Sequence, residues 1–411
     1  MDQVEHVTPP LDPGHARPDT VRPGWMEQLR DWRNRTVARP AFQRWAAAFP
    51  LTRPTARRHA RELFDLVAGF VYTQVLLACV RLKVFEQLAA GPLPMDELTQ
   101  RLGLGAEGAE RLVAAAVALE LLEHRRGGRV ALGRLGAPMV GNRAVVAMVE
   151  HHATLYADLT DPVALLKRQG QPAMAGYWPY VAYAHGEGEG ERERERPGAA
   201  AALSAERVAE YSALMSASQP LVTQEVLDAY RFDRHRVLLD VGAGEGSFVT
   251  AVAARAPQLQ LMLFDLPGVA EHARARLAAA GLGQRAVVHG GDFFSDELPR
   301  GADLISLVRV AFDHPDERVL RLFKAVRRAL PDGGTLLLAE PMSGVAGAEA
   351  MGDAYFGFYL LAMGRGRPRS AAQLQALLVA AGFDEVCAVP TRMPLQTGLL
   401  VARVRDGAPH R

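Results

Sequence analysis

The sequence is short of cysteine and of metal-binding patterns. Its 411 residues include 2 cysteines, Cys79 and Cys387, which lie far apart and have no nearby Cys or His at metal-ligand spacing. This scarcity excludes a disulfide framework and a zinc site, so we expect no metal. It also favours a reducing compartment, and we therefore expect a cytoplasmic protein.

An excess of positive charge is also missing. Lys and Arg number 47 against 46 Asp and Glu, which gives a formal net charge of +1. A protein that binds nucleic acid through electrostatics needs a cationic surplus, so we expect no nucleic acid among the partners. Hydrophobic residues make up 49% of the chain and charged residues 23%. These proportions are typical of globular proteins and exclude a disordered or fibrous chain.

The sequence also lacks a secretory leader and a clear membrane span. Residues 1–17 alternate charges and prolines where a signal peptide would be apolar. The most apolar run, 66–80, is interrupted by Thr73 and Gln74 and is shorter than the roughly 20 residues that a membrane span needs. We interpret this run as part of a buried helix.

The segment that contains this run, 58–88, predicts one long helix, since it has almost no Pro or Gly and is apolar nearly all round. A helix that is apolar on every side has to be buried. Burial between two copies of the chain is the simplest solution, and we predict a homodimer with this helix at its core.

Changes of composition divide the chain into four parts. Residues 1–55 form a proline- and arginine-rich arm that is partly disordered, 56–185 are mostly helical, 186–198 (GEGEGERERERPG) are a charged linker, and 199–411 form the second domain. Within the arm, 25–49 combines Arg with aromatic side chains. This segment fits either packing on a partner subunit or peripheral contact with a membrane.

The helical part has a winged-helix pattern. Helices predicted at 94–102 and 105–122 precede alternating residues around Gly127 and Gly128, which signal a hairpin. Winged helices are best known for reading DNA, but here the second helix carries three glutamates against Arg111 and would repel phosphate. We favour a scaffold for dimerisation over a DNA-binding regulator.

The second domain alternates short apolar strands with helices. The predicted strands cover 237–241, 261–265, 286–289, 304–308 and 335–340, and helices such as 247–255, 269–280 and 315–330 lie between them. Near-continuous apolar strands separated by helices predict an α/β fold with a doubly wound parallel sheet. Such sheets bind ligands at the carboxyl ends of their strands.

The loop after the first of these strands is rich in glycine. Asp240 precedes Gly242 and Gly244 in the series Asp-x-Gly-x-Gly-x-Gly, and glycine lets the backbone approach a ligand closely. The dinucleotide fingerprint G-x-G-x-x-G would need glycine at the position of Ser247. The spacing present is instead typical of methyltransferases that bind S-adenosylmethionine (SAM).

The next two strand ends complete an adenosine site. Asp265 and Leu266 end the second strand, and an acid about 20 residues beyond the glycine turn can accept hydrogen bonds from ribose hydroxyls. Asp292 and Phe293 follow the third strand and are suited to the amino group and the ring face of adenine. We expect all four residues to bind the cofactor.

The sequence resembles the winged-helix, dimeric small-molecule O-methyltransferase family that includes the plant caffeate and flavonoid enzymes. The resemblance covers about residues 58–405 and is carried by the motifs LLDVGAGEG, FDLP, GGDFF, RVAFDHPDE, LLLAEP and GRGRPRS. It is closer to bacterial carotenoid O-methyltransferases, through ARELFDLVAGFVYTQVLLACVRLKVFE and MGRGRPRS. It implies a seven-stranded, Rossmann-like SAM-methyltransferase domain after a mostly helical winged-helix dimerisation domain.

The resemblance also implies site residues beyond the three strand ends. Arg309 would contact the cofactor beneath the fourth strand, with SAM as the co-substrate. Met215 and Ser218, on the helix before the glycine loop, are weaker candidates for cofactor and substrate contact.

One catalytic position departs from the family pattern. The general-base histidine should stand immediately before Asp313, where this sequence has Phe312, and the second of two flanking acids maps onto Pro368. Asp313, His314 and Glu340 remain candidate catalytic groups that could take the proton, with water as a fourth. A tertiary aliphatic alcohol is not usefully deprotonated by imidazole at neutral pH, so proximity and desolvation would drive its methylation.

A stripe of large side chains follows the fifth strand, at Met351, Tyr355, Phe358, Tyr359 and Met363. The spacing fits one face of a helix, either as ordinary core or as a substrate pocket. The resemblance favours a pocket, and we predict an apolar acceptor, a 1-hydroxylated acyclic carotenoid. Two alternatives stay open: a SAM-binding relative with redirected chemistry (hydroxylation or decarboxylation), and a non-catalytic winged-helix regulator.

Overall fold

The structure, a computed structural model, describes residues 24–170, 172–176, 219–394 and 397–405. The predicted linker at 186–198 lies outside the described residues, as do Met215, Ser218 and residues 1–23 of the arm. The chain divides into two compact units, residues 1–75 and 76–411.

The first unit, residues 1–75, is helical where it is described. Its helices are α1 (Trp25–Val37), α2 (Pro40–Ala48) and most of α3 (Arg53–Arg81), and α2 starts with a proline whose missing N–H costs nothing at that position. The predicted long helix is therefore present, although it begins earlier than residue 58. It ends at Arg81 because Lys83 adopts a left-handed φ of 55°.

The apolar face of α3 is exposed in a single chain. Leu63, Leu66 and Phe70 are 65%, 82% and 68% exposed, and the buried residues of the helix lie near its end, at Leu77, Cys79 and Val80. By length and composition alone α3 could cross a membrane, so the expectation that it is too short was wrong. The expectation of burial is not met within one chain, and an exposed apolar face of this size marks an interaction surface.

The second unit, residues 76–411, begins with the predicted winged helix. Its parts are α4 (Val84–Gln87), β1 (Leu93–Pro94), α5 (Met95–Leu102), α6 (Ala106–Ala118), β2 (Leu122–Arg125) and β3 (Arg129–Leu132), with the strands in the order β1-β3-β2. Gly127 and Gly128 both have positive φ, 75° and 67°, as a two-residue hairpin turn requires. The helix–helix–hairpin prediction is confirmed.

Two helices connect the winged helix to the larger part of this unit. They are α7 (Arg143–Asp158) and α8 (Pro162–Leu166). The Asn142 side chain accepts a hydrogen bond from Val145 N at 3.2 Å, and the Asp161 side chain accepts one from Ala164 N at 2.9 Å. These N-caps explain where both helices start.

A seven-stranded sheet forms the centre of the described part of this unit, in the order β11-β12-β8-β7-β4-β5-β6. The strands are β4 (Val237–Val241), β5 (Gln260–Asp265), β6 (Ala286–Gly290), β7 (Leu304–Val308), β8 (Thr335–Glu340), β11 (Glu385–Val389) and β12 (Gly398–Arg403). The five predicted strands are parallel, as expected. β12 runs antiparallel to them beside β8, and β11 pairs antiparallel with β12 and so runs in the same direction as the five. Two short strands, β9 (Met342–Ser343) and β10 (Arg369–Ser370), pair separately.

Helices cover both faces of this sheet. They are α9 (Ser247–Arg255) and α10 (Pro267–Ala279) on one face, and α11 (Asp316–Ala329) and α13 (Ala371–Ala380) on the other. A further helix, α12 (Phe356–Ala362), packs against α7 and α8 instead. On α11 the buried side chains recur at helical spacing, at Val319, Leu322, Phe323 and Val326. β4 lies between β5 and β7, so the strand order reverses beside β4, and a crevice opens at its carboxyl end, where such sheets bind ligands.

Candidate active site

The loop after β4 forms the floor of this crevice. Gly242, Gly244 and Gly246 all have left-handed φ values, 71°, 56° and 77°. A Cβ on Gly242 would lie 2.7 Å from Val310 Cγ2, whereas the space beside Gly244 is open. A ligand can therefore approach this backbone as closely as the glycine spacing predicted.

Asp265, at the end of β5, fixes the glycine loop. Its Oδ2 accepts the Gly244 N–H and its Oδ1 accepts the Leu266 N–H, both at 2.7 Å. Burial raises the pKa of this carboxyl, and the two backbone N–H groups oppose the shift. Each oxygen keeps a free lone pair, so Asp265 can still accept from two ribose hydroxyls.

Asp240 lies behind the loop, between neighbouring strands. It is 2% exposed, and Ser306 Oγ on β7 donates to its Oδ1 at 2.5 Å. Burial raises the pKa of Asp240 to about 7, the Ser306 hydroxyl lowers it, and the nearby Asp265 charge raises it further. These contacts show that Asp240 ties β4 to β7 beneath the loop, and direct contact with the cofactor stays a prediction.

The end of β6 lies next to Asp265, because Gly291 N donates to the Asp265 carbonyl at 2.9 Å. Asp292 Oδ1 accepts the Phe294 N–H at 2.9 Å, which sets the turn. The rings of Phe293 and Phe294 meet edge to face, 4.6 Å apart. The structure thus brings the predicted ribose and adenine groups to one edge of the sheet.

His314 packs against Phe293 and Phe294. Its ring is edge-on to Phe294 at 4.9 Å and to Phe293 at 5.9 Å, and the residue is 6% exposed. Burial, with the charges of Arg318, Arg365 and Arg369, lowers the pKa of His314 to about 3. The ring is therefore neutral and packs beside the predicted adenine contact.

Glu340 holds the turn that follows β7. Its Oε1 accepts the N–H groups of Val310 (3.0 Å) and Ala311 (2.7 Å), and its Oε2 accepts that of Phe312 (3.3 Å). Glu340 is 1% exposed, and burial raises its pKa to about 7 against the effect of these donors. Burial and the Glu340 charge raise the pKa of Asp313 well above its usual range, while Arg309 lowers it.

Arg369 braces the same turn from the other side, a role that the sequence reasoning missed. The guanidinium is 2% exposed and donates to the carbonyls of Ala311 (3.0 Å) and His314 (2.6 Å) and to Asp316 Oδ1 (2.7 Å). Arg369 belongs to the GRGRPRS motif, which indicates the family resemblance but not this structural role. Segment 311–316 is therefore held by two sets of hydrogen bonds, in which Glu340 accepts from its backbone N–H groups and Arg369 donates to its backbone carbonyls.

Phe312, at the position of the missing histidine, belongs to an apolar wall. We define this apolar wall by its buried members, Leu155, Leu165, Met174, Phe312, Tyr359, Leu360, Ala362 and Met363. Phe312 is 7% exposed and meets Phe356 edge to face at 6.3 Å. A buried phenyl ring thus occupies the place where a base was expected.

Four of the five predicted substrate-binding residues lie in or against the apolar wall: Tyr355, Phe358, Tyr359 and Met363. The fifth, Met351, lies in a π-helical turn, Ala350–Tyr355, that precedes α12. The predicted single helix is therefore two segments with different hydrogen bonding, a feature common at functional sites.

Two histidines of α7 reach this region and were not among the predicted site residues. Tyr359 Oη lies 3.1 Å from His151 Nε2, and Tyr355 Oη lies 2.8 Å from His152 Nε2. The two tyrosine rings stack at 5.9 Å. The available signal was a His-His pair in the part of the chain expected to be mostly helical, and spacing alone does not connect this pair to residues 208 and 203 positions away.

The fold and the loop define a class, the α/β methyltransferases that bind SAM. A profile described as an O-methyltransferase domain matches residues 156–384, and one described as an O-methyltransferase dimerisation domain matches 64–140. The chain therefore belongs to the O-methyltransferase family, and it is a SAM-dependent O-methyltransferase.

Its relatives agree with this assignment. The demethylspheroidene O-methyltransferase of Cereibacter sphaeroides is 44% identical over 90% of this chain and 93% of its own length. The enzyme of the same name from Rhodobacter capsulatus is 37% identical over 96% and 93%. The crystal structure of CalO1, a methyltransferase in calicheamicin biosynthesis with SAH bound, superposes with a TM-score of 0.68, 26% identity and coverage of 84% and 98%.

Gly242→Ala should abolish tight SAM binding, because the new Cβ would both collide with Val310 and strain a left-handed backbone. We expect the Kd for SAM, measured by calorimetry, to rise at least about tenfold. The matched control is Gly281→Ala. Gly281 lies just after α10 with a similar φ of +73°, and a Cβ added there would meet open space. Equal SAM affinity in the two variants would contradict the proposed floor of the site.

Proposed function

We propose that this enzyme transfers the methyl group of SAM to the hydroxyl of a long apolar alcohol, a 1-hydroxylated acyclic carotenoid such as demethylspheroidene. The observation that carries the proposal is Phe312, a buried ring of the apolar wall at the usual position of a polar base. Both named relatives described above act, by their names, on demethylspheroidene. An acceptor of this kind needs apolar contact along its length more than it needs a base.

The cofactor contacts follow from the three strand ends. We propose that the Gly242–Gly244 backbone faces the methionine part of SAM, that Asp265 accepts from the ribose, and that Asp292 and Phe293 hold the adenine. When bound, SAM supplies an electrophilic methyl group on a positively charged sulfur. Arg309, whose φ of 59° bends the chain at the end of β7, lies one residue from the Val310 side chain that contacts the loop.

The protein promotes the transfer by positioning the acceptor and by excluding water from the site. The apolar wall excludes water, which leaves the acceptor oxygen unsolvated next to the methyl carbon and raises the rate through proximity. Asp313, Glu340 and His314 remain proposed catalytic residues. The contacts of Glu340 and His314, with backbone N–H groups and with aromatic rings, favour positioning roles for these two.

We propose that the exposed face of α3 is buried between two copies of the chain. The dimerisation-domain match starts at residue 64 and includes Leu66 and Phe70, which are 82% and 68% exposed in one chain. Burying such side chains is worth about 1.5–3 kcal/mol each, enough for several of them to hold a dimer together. For α1 and α2, whose Trp25 and Trp32 are 73% and 60% exposed, peripheral contact with the membrane that dissolves the substrate is a second proposal.

Leu66→Glu with Phe70→Glu should convert the protein from dimer to monomer, because it places four charges in a shared apolar interface. Light scattering after gel filtration should give twice 44.5 kDa for the unchanged chain and 44.5 kDa for the variant. Val379→Glu, at a position 55% exposed on α13, is the matched control and should stay dimeric. An unchanged chain that is monomeric in solution and binds only to lipid vesicles would contradict the dimer.

Methyl transfer is tested with purified protein, SAM and a mixed extract of hydroxylated carotenoids. Mass spectrometry should show a carotenoid that has gained one methyl group, and deuterated methyl-SAM should shift its mass accordingly. The Gly242→Ala variant serves as the control for enzyme-dependent product. If SAM binds and no carotenoid gains a methyl group, the redirected chemistry replaces this proposal.

A further inference from the structure

We propose that His152 is the proton acceptor of methyl transfer, and that the proton reaches it through the hydroxyl group of Tyr355. The inference rests on the proposed function, because it concerns the proton that an alcohol acceptor must lose. It assigns a catalytic role to a helix outside the methyltransferase sheet, since His152 lies on α7.

The Tyr355–His152 pair has the geometry of a relay. Tyr355 Oη lies 2.8 Å from His152 Nε2, and the rings meet edge to face with centroids 5.5 Å apart. Both side chains are partly buried, so the pair is largely screened from solvent but can still exchange a proton with it. With the Nδ1–H tautomer, His152 Nε2 accepts the tyrosine proton, and the tyrosine oxygen is left free to accept another.

The neighbouring pair, Tyr359 of α12 and His151 of α7, is more deeply buried. Tyr359 and His151 are 7% and 9% exposed, and Tyr359 is a member of the apolar wall. Tyr355 packs against that wall from outside its buried set. Of the two tyrosines, Tyr355 is thus the one at the edge of the wall, where a substrate hydroxyl can reach it.

A continuous line of residues joins Tyr355 to the cofactor loop. Gly242 lies against the Val310 side chain. The Tyr355 ring lies 5.0 Å from the Phe356 ring, and the Phe356 ring lies 6.3 Å from that of Phe312, two residues beyond Val310. Tyr355 therefore stands on the acceptor side of the loop that is proposed to hold SAM.

The protonation states suit the relay. Burial lowers the pKa of His152, so its imidazole is neutral near pH 7 and can accept a proton. Burial raises the pKa of Tyr355, with Arg309 opposing, so the phenol keeps its proton until another proton replaces it. Tyr355 then acts as a conduit and His152 as the final acceptor.

Methyl transfer to an alcohol releases one proton. The alcohol oxygen attacks the methyl carbon, the new C–O bond forms, and the C–S bond breaks with its electron pair going to sulfur. The oxygen gains positive charge as the C–O bond forms, and its proton becomes acidic only then. That proton passes to Tyr355 Oη while the original Tyr355 proton passes to His152 Nε2. The products are a methyl ether, S-adenosylhomocysteine and a His152 imidazolium, which later releases its proton to water.

Tyr355→Phe and His152→Ala should each lower the single-turnover rate of methyl transfer about 100-fold, the scale of general-base assistance, with SAM affinity and carotenoid KM nearly unchanged. Added imidazole should restore the rate of His152→Ala and leave Tyr355→Phe unaffected, since the latter lacks the connecting hydroxyl. A purely structural role of His152 would not respond to imidazole.

The matched control is Tyr230→Phe. It removes another tyrosine hydroxyl that contacts a histidine, with Tyr230 Oη 2.7 Å from His235 Nε2 at the opposite edge of the sheet, and its rate should match that of the unchanged enzyme. Rates within about threefold of the unchanged enzyme in Tyr355→Phe, or a His152→Ala variant that imidazole does not rescue, would overturn the relay alone. An unchanged enzyme that methylates no hydroxycarotenoid would overturn the proposed function and the relay together.

Discussion

Three backbone N–H groups that converge on one buried carboxylate organise this site. Glu340 accepts from Val310, Ala311 and Phe312, and that single contact sets the direction of the chain as it leaves β7. Val310 consequently closes against Gly242 in the cofactor loop, and Phe312 enters the apolar wall. The proposed donor and acceptor halves of the site therefore depend on two residues of one turn that are separated only by Ala311.

Buried carboxylates and a strained backbone in and beside this turn lower the stability of the fold. Asp240 and Glu340 are almost fully buried carboxylates whose pKa values burial raises to about 7, and Arg309 adopts a left-handed backbone that is uncommon outside glycine. The surrounding groups offset the cost, through the Ser306 hydroxyl, the Glu340 donors and the Arg369 guanidinium. Strain and buried charge that are tolerated at one place are typical of a functional site. A fixed turn is what a reaction driven by proximity requires.

Sequence reasoning succeeded where the signal is local. The apolar runs of β4 and β7, and the glycines at 242 and 244, predict strands and a ligand loop because their periodicity and conformation are properties of a few neighbouring residues. It failed for contacts between distant segments. The apolar pattern of α3 predicts a covering partner, and its face is exposed in one chain, but no pattern predicts that Tyr355 meets His152 across 203 positions. No short-range pattern encodes such a contact.

In the proposed mechanism, an apolar wall and a distant tyrosine–histidine pair replace the base that Phe312 displaced. The most direct measurement is a crystal structure of the enzyme with S-adenosylhomocysteine and a 1-hydroxylated acyclic carotenoid. We predict that the polyene chain lies along the apolar wall, with its hydroxyl oxygen within about 3 Å of Tyr355 Oη. A hydroxyl oxygen bonded instead to Asp313 or His314, with Tyr355 turned away from the substrate, would contradict the account.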